Sequence, residues 1–143
     1  MSKRGWIIPI LIVAVNALAV LIRWSSLPEM LPAHFDLQGN AGGAMPRSTL
    51  LFYPLIGAVV CGIAYAVALI AGRHPKSKAK ADGFRSGMII LAAGIALVIL
   101  SSTMVTLTTG TMPVFMLAEP VILVAAIAAF VICIARARKN HQR

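Results

Sequence analysis

The chain has 143 residues, enough for one domain, and its composition excludes an ordinary soluble protein. Apolar residues make up 59% and charged residues only 12%, against roughly half and about a quarter in soluble domains. The net charge of +9 does not indicate nucleic-acid binding, because the 13 Lys and Arg residues flank the apolar runs without interleaved aromatic residues. A membrane protein is therefore predicted.

Four apolar runs are each long enough to cross a bilayer core of about 30 Å. They predict an all-α membrane protein, a single domain over residues 1–143 with transmembrane helices at about residues 5–22, 50–72, 86–107 and 113–135. The first run ends in Arg23-Trp24 instead of a signal-peptide cleavage site, so it is interpreted as a retained helix. Small residues spaced by four in the second run predict close helix packing, within the chain or in a homo-oligomer.

The distribution of Lys and Arg predicts the orientation in the membrane. Eleven of them lie in the N-terminus, a basic loop at residues 73–85 and the C-terminus, whereas the loop at residues 23–49 has only two. Both termini and the basic loop are therefore expected in the cytoplasm. Lys76, Lys78 and Lys80 are expected beside anionic lipid headgroups.

The outer loop at residues 23–49 is neither apolar throughout nor densely basic. Pro28 and Pro32 prevent a continuous helix, and Gly39 permits a turn. Gly42 and Gly43 are interpreted as an isolated pair of turn residues and not as part of a glycine-rich binding loop. An ordered, mostly extended loop is expected. Its apolar side chains are expected to pin it onto the helix ends: Leu27, Met30, Leu31, Phe35 and Leu37.

Two polar residues lie in or beside the apolar runs. Asn16 is in the middle of the first run, so its amide is expected to face another helix and bond to a carbonyl or hydroxyl there, with a ligand contact as the alternative. Glu119 precedes Pro120, a residue favoured at the first helical position. If the fourth helix begins at Pro120, Glu119 is its N-cap; if it begins near Pro113, Glu119 is a carboxylate within the outer leaflet.

Hydroxyl groups cluster at the end of the third run. They are expected to bond to carbonyls of their own helix, or alternatively to line a polar cavity. The cluster comprises Ser101, Ser102, Thr103, Thr106, Thr108, Thr109 and Thr111.

Chemistry is expected in the outer loop, at His34 and Asp36, and Glu119 is expected in the other external loop, on the same side of the membrane. An imidazole and carboxylates can bind zinc or relay protons, but two ligands two residues apart are a weak metal signature. No metal site and no cofactor are therefore predicted, although His34, Asp36 and Glu119 would be the candidate ligands. No catalytic motif is found, and the protein is not expected to be an enzyme.

The loop pattern resembles that of the bacterial membrane family DUF1648, which occurs in SdpI-type immunity proteins. The resemblance covers about residues 5–60 and is carried by Leu27-Pro28-x-x-Leu31-Pro32-x-His34-Phe35-x-x-x-Gly39, followed by a second helix with an early proline at Pro54. It implies that Pro32, His34, Gly39 and Arg47 are the positions to carry over. It also implies a bacterial cytoplasmic membrane.

The turn after Gly39 departs from the family pattern. Ala41 and Gly42 stand where the family has Pro-Asp, and Ala44 stands where it has an aromatic residue. A ligand role at these positions is therefore not carried over. The resemblance to SdpI-type proteins implies toxin immunity or signalling through a membrane receptor, and the domain alone is what matches.

Three functions are compared. The leading hypothesis is a small non-enzymatic membrane protein whose outer loop recognises a peptide, lipid or partner protein. The alternative is a transport or assembly subunit in which Asn16, Thr103, Thr106 and Glu119 face a polar path. The third, metal-dependent activity at the outer face, would need the fold to bring Glu119 or Glu29 to His34.

Overall fold

The computed structural model describes residues 3–35, 40–71, 78–108 and 113–139. These segments contain helices α1 (Ile7–Arg23), α2 (Phe52–Ala71), α3 (Lys78–Leu107) and α4 (Pro113–Lys139). Short 3-10 turns precede α1 (Lys3–Trp6), follow it (Trp24–Ser26) and lead into α2 (Arg47–Leu51). All four helices are long and apolar enough to cross a membrane, so the chain is a multi-pass membrane protein.

The predicted outer loop contains regular structure that the sequence did not reveal. Strands β1 (Met30–Phe35) and β2 (Ala41–Pro46) form a two-stranded antiparallel sheet, called here the hairpin sheet. An extended conformation was expected for this segment and is confirmed. The pairing of the strands was not expected, because the small residues of β2 give a weak strand signal.

Two helices extend further than their apolar runs. α3 begins eight residues before residue 86, so eight of the thirteen residues of the predicted basic loop at 73–85 are helical. Residues Lys78–Arg85 contain several good helix formers and no proline, and Ser86 Oγ donates to Asp82 O at 2.8 Å within this helix. Lys78 and Lys80 are in its first turn, whereas Lys76 lies outside the described residues. α4 likewise continues to Lys139.

α3 is the central helix. It packs against α1 and α2 on one side, and α4 packs chiefly on α3. One core cluster of the α1–α3 bundle lies beneath the hairpin sheet, and a second lies nearer the other end of the helices. The first comprises Val20, Leu27, Leu31, Leu50 and Leu107, and the second Cys61, Ala64, Ala92 and Ala96.

The contact between α3 and α4 depends on small residues. A Cβ atom added at Gly83 or Gly94 would overlap the Cβ of Ala137 or Ala126 on α4. A Cβ at Gly87 would lie 2.6 Å from the ring of Phe130. As the residue numbers of these glycines increase along α3, those of their partners on α4 decrease. The two helices are therefore antiparallel, and their backbones are in close contact.

Large apolar side chains cover the outer surface of the helices, as expected for a surface in contact with lipid. They lie on α1, α2 and α4 and include Ile10, Leu18, Ile22, Leu55, Ile63, Val121, Val124 and Val131.

Candidate functional site

The register of the hairpin sheet determines which backbone groups point to its free edges. Arg47 N donates to Glu29 O at 2.8 Å, which makes Glu29 and Arg47 a hydrogen-bonded pair. Since such pairs alternate along an antiparallel ladder, Pro32 with Ala44 and Met30 with Pro46 occupy non-hydrogen-bonded pairs. The nitrogens of Pro32 and Pro46 therefore point to the free edges, where the missing N–H costs no bond within the sheet.

The inner face of the hairpin sheet is anchored by one leucine. Leu31 is only 1% exposed and packs with Val20, Leu27 and Leu107 at the ends of α1 and α3. The expectation that apolar loop residues pin the segment to the helix ends is thus confirmed for Leu27 and Leu31. It is wrong for Met30, which is 55% exposed because strand alternation turns it to the outer face. The side chains of Phe35 and Leu37 lie outside the described ones.

Arg47 fastens the base of the hairpin sheet. Its Nη1 donates to Leu27 O at 3.3 Å, and its Cζ lies 5.2 Å from the centroid of the Trp24 ring. Together with the backbone bond to Glu29, these contacts connect the start of α2 to the end of α1. The basic residue carried over from the family pattern therefore makes two structural contacts through its side chain and one through its backbone.

His34 lies on the outer face, opposite Gly42. A Cβ atom at Gly42 would overlap the imidazole Nε2, and one at Gly43 would lie 3.4 Å from Cε1. The ring therefore rests on the two glycines, and Gly43 has a positive φ of 66°. His34 is exposed, and its imidazole makes no hydrogen bond with the described residues.

The glycine pair is a feature that sequence reasoning misread. Gly42 and Gly43 are within β2 and support His34, so their interpretation as a lone turn pair is wrong. The small residue at position 42, seen from sequence as a loss of the family's acid, leaves room for the imidazole. The support of His34 by glycine is indicated only when a histidine and a glycine are opposite each other on paired strands. That pairing is known only once the strand register is known. Pro32, partly buried, precedes Ala33 and His34 on β1, and Asp36 and Gly39 lie outside the described residues.

Glu119 is within α4, not at its N-terminus. Because α4 begins at Pro113, the prediction that Glu119 caps a helix starting at Pro120 is wrong. Pro120 is inside the helix, where membrane helices tolerate proline because neighbouring groups bond the freed carbonyl. Ser102 Oγ donates to Glu119 Oε1 at 2.8 Å, while Val98 O, on its own helix, is more distant at 3.2 Å.

This hydrogen bond is expected to couple α3 and α4 measurably. A double-mutant cycle of Ser102→Ala and Glu119→Leu should give a coupling free energy of about 0.5–2 kcal/mol, since interhelical bonds in membranes are weak to moderate. The measurement is SDS-induced unfolding of the purified protein followed by circular dichroism. Glu119→Gln is the control, because its amide oxygen still accepts and most of the coupling should survive. Additive effects in the cycle would contradict the bond.

Asn16 is buried at 1% exposure, as its predicted position facing another helix requires. Val13, one turn before it, lies level with Ile99 because both side chains contact the same position of α2. Val20, one turn after it, shares a core cluster with Leu107. Asn16 is therefore level with the hydroxyl-rich turn of α3.

No described group donates to Asn16 Oδ1, so the hydroxyl partner that was one of the two expected for this amide is not found among the described residues. The hydroxyls at its level are already engaged: Thr103 Oγ1 donates to Ile99 O at 2.8 Å. Thr106 Oγ1 donates to Ser102 O at 3.0 Å. Both bonds are within α3, which is the first of the two outcomes predicted for this cluster.

The metal-site candidates are only partly described. Among the described residues, no three His, Cys, Asp or Glu side chains are grouped as metal ligands. His34 is on the hairpin sheet, Glu119 is bonded to Ser102, and Asp36 lies outside the described ranges.

Comparison with protein families identifies one match. Residues 11–58 match the family model described as "Domain of unknown function (DUF1648)". The matched segment extends from α1 through the hairpin sheet into α2, and it includes His34, Arg47 and Asn16. No significant match is found among curated proteins or solved structures. Residues 11–58, about a third of the chain, therefore carry a match to the DUF1648 domain, as the loop motif predicts.

Proposed function

We propose that this is a small, non-enzymatic protein of the bacterial cytoplasmic membrane whose hairpin sheet recognises a peptide segment at the outer surface. The peptide belongs to a secreted toxin or to a partner protein, in an immunity or signalling role like that of SdpI-type proteins. The orientation, with both termini in the cytoplasm, is supported by the eleven Lys and Arg residues on the side opposite the hairpin sheet.

The observation that carries the proposal is the position of His34. Its imidazole is exposed, rests on Gly42 and Gly43, and makes no hydrogen bond with the described residues, so a partner can contact the ring from the outer face. Arg47 and Leu31 hold the sheet beneath it in place. A side chain presented in this way is more useful for recognition than for packing.

A peptide is favoured because the hairpin sheet has free edges. By the register, the backbone N–H and C=O groups of Gly42 and Ala44 point away from β1. Ala44 is exposed. Among the described residues, none outside the hairpin sheet makes a backbone hydrogen bond with Gly42 or Ala44. An extended peptide can add to such an edge as a further strand, with His34 contacting its side chains.

The transport alternative draws less support from the same residues. It needs Thr103 and Thr106 to face a polar path, but both hydroxyls donate to carbonyls of α3. Glu119 is bonded to Ser102 across the α3–α4 contact. These groups are occupied in the closed helix packing.

His34→Ala is expected to abolish most peptide capture by the hairpin sheet. A photoreactive amino acid placed at Ala44 in intact membranes should form a crosslink to an extracellular peptide or partner segment, and the yield should fall about tenfold without the imidazole. Ser48→Ala, an exposed change just beyond the sheet, is the matched control and should leave the yield unchanged. Equal yields in all three proteins would contradict a recognition role for His34.

A further inference from the structure

An apolar crevice of about 430 Å³ lies between α1 and α2, on the surface away from the hairpin sheet. Gly62 lies in its wall, and a Cβ added there would meet no atom within 4 Å. The remaining lining is apolar or aromatic and includes Trp6, Ile10, Val13, Ala58 and Tyr65. The crevice exists because α2 presents small residues where α1 presents large ones.

One end of the crevice is marked by two aromatic rings. Trp6 and Tyr65 are in edge-to-face contact, with ring centroids 5.1 Å apart. Trp6 directly precedes α1, and Tyr65 lies about 9 Å from the end of α2 at 1.5 Å per residue. Trp and Tyr are typical of the membrane interface, so this end is near the lipid headgroups.

From that end the crevice follows the helix axes toward the middle of the bilayer. The distance along α2 from Tyr65 to Ala58 is about 10 Å. Both walls belong to membrane-spanning helices, and nearly all of the lining is apolar, so water would find few partners there. A lipid acyl chain has the required chemistry and runs in the required direction.

The sequence beside the aromatic end carries positive charge. Lys3 and Arg4 belong to the turn that leads to Trp6, so the backbone that carries them adjoins the aromatic end of the crevice. Cationic residues at this level attract anionic headgroups by about 1 kcal/mol each. We propose that the crevice is a binding site for one anionic phospholipid, with an acyl chain between α1 and α2 and the headgroup beside Lys3 and Arg4.

The site is tested with the full-length protein in vesicles of equal phosphatidylglycerol and phosphatidylcholine. A phosphatidylglycerol with a photoreactive group in its acyl chain should label the α2 peptide that contains Cys61 and Tyr65. Gly62→Leu fills the crevice and should lower labelling by about tenfold, or roughly 1.4 kcal/mol. Ala58→Leu is a second variant of the same kind. Ala125→Leu adds the same bulk on the exposed surface of α4 and should leave labelling unchanged.

The headgroup is tested separately. The same photoreactive chain on phosphatidylcholine should label the α2 peptide less, and a Lys3→Gln, Arg4→Gln variant should remove the difference. Unchanged labelling in both Gly62→Leu and Ala58→Leu would overturn the chain site. Equal labelling by the two lipids would overturn the anionic preference, and crosslinking of Cys61 to a second copy of the chain would show that a helix covers the crevice. The site is independent of His34, so His34→Ala should label like the wild type.

Discussion

Gly94→Leu is expected to separate α4 from α3 and to lower the free energy of unfolding by about 3 kcal/mol. Even a single Cβ at this position would overlap the Cβ of Ala126, and a leucine side chain has no space between the two backbones. Because α4 packs chiefly on α3, no other helix compensates for the lost contact. The measurement is unfolding of the purified protein in mixed micelles, followed by circular dichroism.

A matched control and a rescue make this result specific. Gly62→Leu introduces the same side chain into a membrane helix where no atom lies within 4 Å, so stability should change by less than about 1 kcal/mol. The milder Gly94→Ala should be partly rescued by Ala126→Gly, which restores the volume between the helices. Similar destabilisation by Gly94→Leu and Gly62→Leu would show that the close contact of α3 with α4 is not what stabilises the protein.

Leu31→Ala is expected to release the hairpin sheet from the helix ends at a cost of about 2–5 kcal/mol. The leucine is 1% exposed, and its removal leaves a cavity among Val20, Leu27 and Leu107. Hydrogen exchange should report the change locally, because the Arg47 amide that donates to Glu29 O should lose protection.

Met30→Ala is the matched control, since it truncates the adjacent residue on the same strand. Met30 is 55% exposed and faces outward, so stability should change by less than about 0.5 kcal/mol and exchange at Arg47 should stay slow. Equal losses of stability and of protection in the two variants would contradict the assignment of Leu31 to the inner face and Met30 to the outer face. Loss of protection in Leu31→Ala alone supports it.

The helices were predictable because a bilayer requires long uninterrupted apolar runs. Their ends were less so, since hydropathy reports where a helix leaves hydrocarbon and not where its hydrogen bonding stops. Residues 78–85 are an example: they are polar and lie outside the apolar run, yet they belong to α3. The cap proposed for Glu119 came from a local rule, that proline is favoured at the first turn of a helix; the chain has two such prolines, and α4 begins at Pro113 and not at Pro120.

The sequence indicated which segment holds the candidate site, but not the contacts within it. Prolines, glycines and a histidine in an apolar loop correctly indicated an ordered, extended segment. The role of Gly42 depends on its being opposite His34, and a strand register cannot be read from residues this small. Likewise, the bond of Arg47 to Leu27 O joins positions 20 apart, a contact that no local pattern predicts.

The bond from Arg47 N to Glu29 O joins the two strands at the base of the hairpin sheet before any partner binds. A free loop would lose backbone entropy on binding, at about 1–2 kcal/mol for each residue that becomes ordered. For the residues of β1 and β2, that loss occurs during folding of the protein. Binding should therefore show a small entropic penalty, and affinity should depend on the quality of the contacts. Arg47→Pro, which lacks the donating N–H, should weaken binding mainly through entropy, although the outer face of the sheet keeps its residues.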